Sequence, residues 1–253
     1  MPHPLPLTGE RTLPGVPGEE YWFARHEAVY RWIATKYAEH LRDAVVLEAG
    51  SGEGYGAQLL HEAGARRVVA LEYDPGAVQH AAAAYPGVSS VRANLADLPM
   101  AAASVDVLVC LQVVEHLWAL RAFLRDCARV ARPGGLVVVS TPNRPMFSPG
   151  LARAERPANP FHVEEFDAEQ LEERLTPAGF VDVQVLGLRH AARIHAWEDA
   201  HQAALVAAQI EASVPGRELD VLVARFVSGV TVDDFEVGDA DGAQDLVAVA
   251  VAP

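Results

Sequence analysis

Three groups of residues in this 253-residue chain have types and spacings suited to chemistry. The first is Val45-Val46-Leu47-Glu48-Ala49-Gly50-Ser51-Gly52-Glu53-Gly54-Tyr55-Gly56, where β-type residues run into a glycine-rich turn and a helix is expected behind it. Glycine is needed where φ must be positive or where a ligand lies against the backbone, and a helix start offers free N–H groups. A dinucleotide-binding turn has the spacing G-x-G-x-x-G; here it is Glu48-x-Gly50-x-Gly52-x-Gly54. The second group is Glu72, which closes an apolar strand 22 residues after Gly50. A carboxylate there can accept two hydrogen bonds from ribose hydroxyls. The third comprises Glu115-His116 and His162, where imidazole is suited to act as a base or to ligate a metal. Taken singly, each has a plain structural explanation: strand–turn–helix punctuation, solvated loop acids, a loop histidine bonded to a neighbour.

The elements that must hold these groups alternate. Ala44–Glu48 reads as a strand, Ala57–Ala63 as a helix, Arg67–Glu72 as a strand, and Pro75–Ala84 as a helix with proline in its first turn. Val88–Ala93 and Ser104–Leu111 are the third and fourth strands. Leu120–Ala131 is a helix stopped by Pro133-Gly134-Gly135, and Leu136–Ser140 is the fifth strand. Repeated βα units imply a parallel α/β sheet with helices on both faces. Residues 1–18 are proline- and glycine-rich and read as an irregular arm. Glu19–His40 carries Trp22, Val29, Ile33 and Tyr37 at helical spacing. Asp167 and Gln170 predict a capping box for a helix ending at Leu175. Phe180–Leu188 and Asp245–Ala252 complete the strands, with helices expected over Ala191–Ala212 and Arg217–Val227. The stretch at about residues 190–240 is longer than a usual connection and is expected to be an insert that covers an active site.

Five segments, in order, resemble the class I S-adenosylmethionine (SAM)-dependent methyltransferases. They are the Glu48–Gly54 loop, the strand ending at Glu72, Val91–Pro99 (similar to G-D-A-x-x-L-P), Ser104–Val109 (similar to S-F-D-x-V), and Arg129–Leu136 (similar to L-K-P-G-G). The resemblance implies a Rossmann-like, doubly wound seven-stranded sheet whose last strand enters antiparallel. It implies SAM as cofactor and S-adenosylhomocysteine as product. Glu48, Gly50, Gly52 and Gly54 would hold the amino-acid part, Glu72 and Tyr73 the ribose side, and Asn94, Leu95 and Leu111 the adenine side. Asn94 stands where the family usually has an acid, and its amide oxygen keeps the acceptor function. Residues 1–40 would form an arm and a helical lid on a domain of residues 41–253, with Arg25 reaching the SAM carboxylate.

The segment Gln112–His116 resembles the E-x-x-E-H of ubiquinone-biosynthesis O-methyltransferases, which helps bind magnesium. Glu115 and His116 match and are the candidate ligands for Mg2+, whereas Gln112 replaces a carboxylate. Glu115, His116 and His162 are the catalytic candidates. The arm around Leu7–Gly15 and the segment Pro160–Phe166 also look like those of actinobacterial methyltransferases of methylated-polysaccharide synthesis, so the expected acceptor is a sugar or glycan hydroxyl. A small phenol or quinone precursor, or a non-catalytic SAM-binding subunit, is the alternative. A nicotinamide oxidoreductase is disfavoured by the glycine spacing and by the want of a Tyr-x-x-x-Lys pair, Lys36 being the only lysine.

Composition narrows the partners. With 20 basic against 34 acidic residues the net charge is −14, which repels phosphate backbones and disfavours nucleic acid. The start shows neither a basic region nor an apolar core of a secretory signal, and no apolar run is long enough to span a membrane. The two cysteines, Cys110 and Cys127, sit in apolar stretches with no disulfide framework, as expected in a reducing cytoplasm. A homodimer is a candidate assembly.

Overall fold

The computed structural model describes residues 5, 6, 8, 10–212 and 219–253. Its centre is an eight-stranded mixed sheet in the order β3-β2-β1-β4-β5-β8-β6-β7. The strands are β1 Val45–Ala49, β2 Arg67–Glu72, β3 Ser89–Arg92, β4 Val105–Leu111, β5 Ala131–Pro142, β6 Val181–His190, β7 Phe235–Gly238 and β8 Asp245–Val251. The first five run parallel, and β8 lies antiparallel between β5 and β6. Strand order reverses around β1, which sits between β2 and β4. Loops that leave β1 and β4 in opposite directions open a crevice there.

The central strands are buried on both faces, as their unbroken apolar runs require. Val46 and Val68 face one core layer, while Leu47 and Val69 face the other. The first layer holds helix α1 (Glu20–Lys36), the short α2 (Ala38–Leu41) and α3 (Tyr55–Glu62). The second holds α5 (Leu120–Val130) and α7 (Ala168–Leu175). Helix α4 (Pro75–Ala84), capped by Asp74, packs on β2 and β3. Helix α7 starts with the expected capping box of Asp167 and Gln170. A single turn, α6 (Arg144–Phe147), follows β5. No helix among the described residues is long and apolar enough to cross a membrane.

Several expectations are corrected. The sheet has eight strands because Phe235–Gly238, four residues inside the expected insert, adds an antiparallel edge to β6. Pro133-Gly134-Gly135 does not precede the fifth strand but lies within β5, where the pairing with β4 shifts register. The expected long helix Ala191–Ala212 is two helices, α8 (Ala192–His201) and α9 (Leu205–Ala212), broken where Gln202 takes φ 51°. Helix α10 covers Val221–Val227, and the expected start at Arg217 lies outside the described residues.

The described part of the insert packs at the sheet edge, and none of its residues lines the cavity described below. Ile194, Leu205, Val223 and Val227 join α1 in the first core layer, because the apolar sides of these short helices have the sheet edge to bury against. Helix α1 is likewise part of this core, with Tyr21 and Ile33 fully buried. The segment that crosses the crevice is the arm, residues 10–12, described below.

The glycine loop and the loop after β4 meet at Gly50. Its φ is +83°, and a Cβ there would lie 2.4 Å from Val113 Cγ2. Gly50→Ala should therefore lose roughly 1–2 kcal/mol for the left-handed backbone plus the cost of displacing Val113. Gly134 has a similar φ of +77° with nothing within 4 Å, so Gly134→Ala isolates the backbone part. With about 2–4 °C of Tm per kcal/mol for a chain this size, thermal unfolding should show the larger drop for Gly50→Ala. Equal drops would show that Val113 imposes no constraint.

Candidate functional site

A cavity of about 460 Å³ opens where β1, β2 and β4 end. That volume lies in the range of small-ligand sites. Of the residues singled out for cofactor binding, Gly50, Gly52, Glu72, Tyr73 and Leu111 line it, as do Asn94 and Leu95. The glycine loop is tied to β2 by the N–H groups of Gly50 and Ser51, which both donate to Leu71 O at 2.9 Å. Glu72 Oε2 accepts from Gly52 N at 2.9 Å, and Glu72 Oε1 accepts from the N–H groups of Tyr73 and Asp74. The carboxylate is thereby held at the rim. Asn94 Oδ1 accepts from Ala96 N at 3.0 Å, which holds the β3 loop.

Gly54 and Glu48 do not line the cavity. Gly54 is the N-cap of α3, and a Cβ there would lie 2.8 Å from Ala81 Cβ, so this glycine allows α3 and α4 to approach. Glu48 points, like Val46, into the layer of α1 and α3, where it is 1% exposed. The Tyr30 hydroxyl donates to Glu48 Oε1, while Glu48 Oε2 is buried without a partner. Tyr30 reaches this place only because Gly56 has no side chain: a Cβ there would fall 2.2 Å from the Tyr30 ring.

Arg25 is committed elsewhere. It is buried and pairs bidentately with Asp245, with Nε 2.7 Å from Oδ2 and Nη2 close to Oδ1. Its Nη2 also donates to Gln112 Oε1 at 3.3 Å, and Gln112 Nε2 donates to Ser140 Oγ at 3.2 Å. This network gives Gln112 a structural task and accounts for an amide in place of the carboxylate of E-x-x-E-H.

Glu115 and His116 diverge rather than converge, so the expected magnesium pair is not formed. Both belong to one 3-10 turn (Val114–His116), but Glu115 turns inward, where Oε2 accepts from Thr141 Oγ1 at 3.1 Å. Burial above all pushes its carboxyl up to about 7. The Glu115 carbonyl accepts from Val163 N and Glu164 N, which pins the loop carrying His162 beside the 3-10 turn. His116 faces the cavity, and its ring stands 4.9 Å from that of His162, edge to face.

Each histidine has one nitrogen fixed. His116 Nδ1 lies 3.1 Å from Phe161 O, an acceptor only, so Nδ1 carries the proton and Nε2 has the lone pair. His162 Nδ1 donates to the buried Glu165 Oε1 at 2.7 Å, and Glu165 Oε2 is held by Ser148 Oγ. Both Nε2 atoms face Glu10 Oε2, at 3.5 Å from His116 and 3.6 Å from His162. Burial lowers the His116 pKa below the ordinary imidazole value, and His162 and Glu10 pull in opposite directions. Burial also disfavours charge on His162, but Glu10, Glu165 and Glu115 outweigh it and raise its pKa to about 9.

Sequence reasoning missed Glu10 and its neighbours. The arm crosses the cavity mouth, with Arg11 donating to Asp74 Oδ2 at 2.8 Å and the Thr12 hydroxyl 3.2 Å from both His26 Nδ1 and Tyr55 Oη. Arg11 Nη1 is buried without a partner. The available signal was that Glu10-Arg11 carries the only acid and the only arginine among the first 18 residues.

A methyltransferase-domain family model matches residues 47–139. The whole chain is 46% identical to a probable S-adenosylmethionine-dependent methyltransferase of Mycolicibacterium smegmatis, spanning 97% of that protein. It is 47% identical to another of Mycobacterium tuberculosis, spanning 91% of it. Among solved structures, an S-adenosylmethionine-dependent methyltransferase from Mesorhizobium loti superposes with a TM-score of 0.60 at 17% identity, over 90% of this chain and 98% of that one.

Burial pushes the Glu48 carboxyl up to about 8, although Tyr30 and the Ala57 N–H pull it down. A raised acid keeps its proton in the folded chain after the unfolded chain has lost it. Its stability advantage is full below the ordinary value of 4.5 and is lost as pH rises towards 8. The ligand-free protein should therefore lose Tm between about pH 5 and 8, and Glu48→Gln should flatten that slope. Parallel curves for the two proteins would disprove a strained Glu48.

Proposed function

The chain belongs to the class I SAM-dependent methyltransferases, and from that premise we propose that it methylates a hydroxyl of a sugar or glycan. The observation that carries the reading is His116, whose Nε2 lone pair lies at the cavity and whose Nδ1 proton is locked on a carbonyl. The chain's residues fit the cofactor. The cavity is large enough, Glu72 stands at its rim, and Arg11, which lines it, has Nη1 buried without a partner. An arginine suits the carboxylate of the amino-acid end, with Arg11 in the place expected for Arg25, whereas Glu48 is buried away from the cavity. Gly50 and Gly52 allow close approach, Glu72 and Tyr73 suit the ribose side, and Asn94, Leu95 and Leu111 suit the adenine side.

When bound, SAM supplies an electrophilic methyl group on a sulfonium, which leaves as neutral S-adenosylhomocysteine. The protein aligns the acceptor and removes its proton. His116 Nε2 takes the hydroxyl proton as the oxygen gains the methyl, and Glu10 Oε2 holds the resulting imidazolium. His162 carries its proton at neutral pH and acts as a hydrogen-bond donor beside the base. Glu115 is a positioning residue: its carbonyl joins the two histidine loops.

Two exposed aromatic side chains beside the two histidines in the chain, outside the lining of the cavity itself, support a neutral, ring-shaped acceptor. Trp118 is 90% exposed and Phe161 60%, and they flank His116 and His162 in the chain. Flat aromatic faces suit the C–H faces of a pyranose, and a net charge of −14 disfavours a phosphorylated acceptor.

Three results are expected with labelled SAM and short glucans, and a fourth by calorimetry. His116→Ala should lower kcat by about 10²–10⁴-fold, and the wild-type kcat/KM should fall at acid pH with an apparent pKa below 6.5, since His116 must be neutral. Trp118→Ala should raise the glucan KM about tenfold, a loss of roughly 1.4 kcal/mol, with SAM affinity unchanged. Glu72→Ala should weaken SAM binding in calorimetry. Label passing only to phenols or amines would sink the sugar reading.

A further inference from the structure

We propose that Glu10, His116 and His162 form a binding site for a divalent transition-metal ion, closed by the arm. The ligand atoms of these three residues lie within 4.8 Å of one another. Glu10 Oε2 is 3.5 Å from His116 Nε2 and 3.6 Å from His162 Nε2. Ligands about 2.0–2.1 Å from a zinc ion in a tetrahedral shell lie roughly 3.3–3.4 Å apart, close to the two distances from Glu10 Oε2.

Two features distinguish this cluster from incidental proximity. Both histidines use Nδ1 on an outer acceptor, Phe161 O for one and the buried Glu165 carboxylate for the other. Such partners fix the tautomer and aim Nε2 at a metal. Both Nε2 atoms also converge on one carboxylate oxygen. The Asn159 amide nitrogen lies 3.1 Å from His162 Nε2 and 3.3 Å from Glu10 Oε1, at the edge of this triad. Two imidazoles and one carboxylate suit zinc or manganese better than magnesium, which prefers an all-oxygen shell.

Glu10 and His116 line the cavity, so the remaining coordination positions face the acceptor. With the ion bound, His116 Nε2 is a ligand and no longer the base, and an acceptor hydroxyl on the ion would lose its proton more readily, to solvent. The ion would also join Glu10 of the arm to the loops after β4 and β5, seating the arm over the cavity. This role rests on the proposed methyl transfer, but the existence of the site does not.

The test uses tag-free, chelator-treated full-length protein without SAM. Co2+ is titrated by visible absorption and Zn2+ by calorimetry. One ion per chain is expected, with coordinated-cobalt absorption. Glu10→Gln, at an exposed arm position, should weaken binding at least tenfold without unfolding the chain, and His116→Ala should do the same. Glu165→Gln should weaken it about 10–100-fold through the outer contact. Asn159→Ala should bind the ion no more weakly than wild type. No uptake by the wild type, or equal uptake by Glu10→Gln, would overturn the site. Metal uptake without methyl transfer to glucans would refute the proposed acceptor and leave the site standing. Full methyl transfer in the chelated enzyme would overturn the catalytic role of the ion.

Discussion

The cofactor end of the sheet depends on the close approach of two loops at Gly50. The loop after β1 and the loop after β4 leave neighbouring strands, and Val113 fills the space that a side chain at Gly50 would occupy. With Gly50 and Ser51 tied to Leu71, the glycine loop is fixed against both β2 and the β4 loop. Tyr30 in turn fills the space above Gly56 and reaches the carboxyl of Glu48. Two missing side chains thus allow the contacts that shape one wall of the cavity.

The opposite wall is built by pairing loops rather than strands. The Glu115 carbonyl holds the backbone of Val163 and Glu164, and the two histidines meet edge to face as a result. Charge then differentiates them. His162 has Glu10, Glu165 and Glu115 around it and favours a positive charge, whereas burial dominates at His116 and favours the neutral ring. Two residues of one type are thereby pushed in opposite directions a few ångströms apart.

The arm turns the crevice into a cavity. Arg11 anchors it at Asp74, Thr12 at His26 and Tyr55, and Glu10 at the two histidines. Helix α1 packs in the first core layer beside the insert helices, and its His26 and Tyr30 also line the cavity. The described part of the insert extends the sheet edge through β7.

The sequence by itself determined the alternation of strands and helices, the glycine turn, the carboxylate at the end of β2 and the capping box at Asp167, because these depend on neighbours within one or two turns of chain. Strand β7 escaped notice because four residues give almost no periodicity, and its pairing with β6 is a long-range contact. The break between α8 and α9 was hidden because the apolar pattern continues past Gln202, where the turn is closed by Glu198, whose carbonyl accepts from Ala203 N and whose carboxylate accepts from Leu205 N. At the site, Gly50, Gly52, Glu72 and His116 were legible from type and spacing. The tertiary structure alone decided that Glu115 turns inward, that Arg25 is neutralised by Asp245 some 220 residues away, and that Glu10 joins His116 and His162. Those outcomes depend on which loops share the end of a sheet, and strand order, not local sequence, sets that.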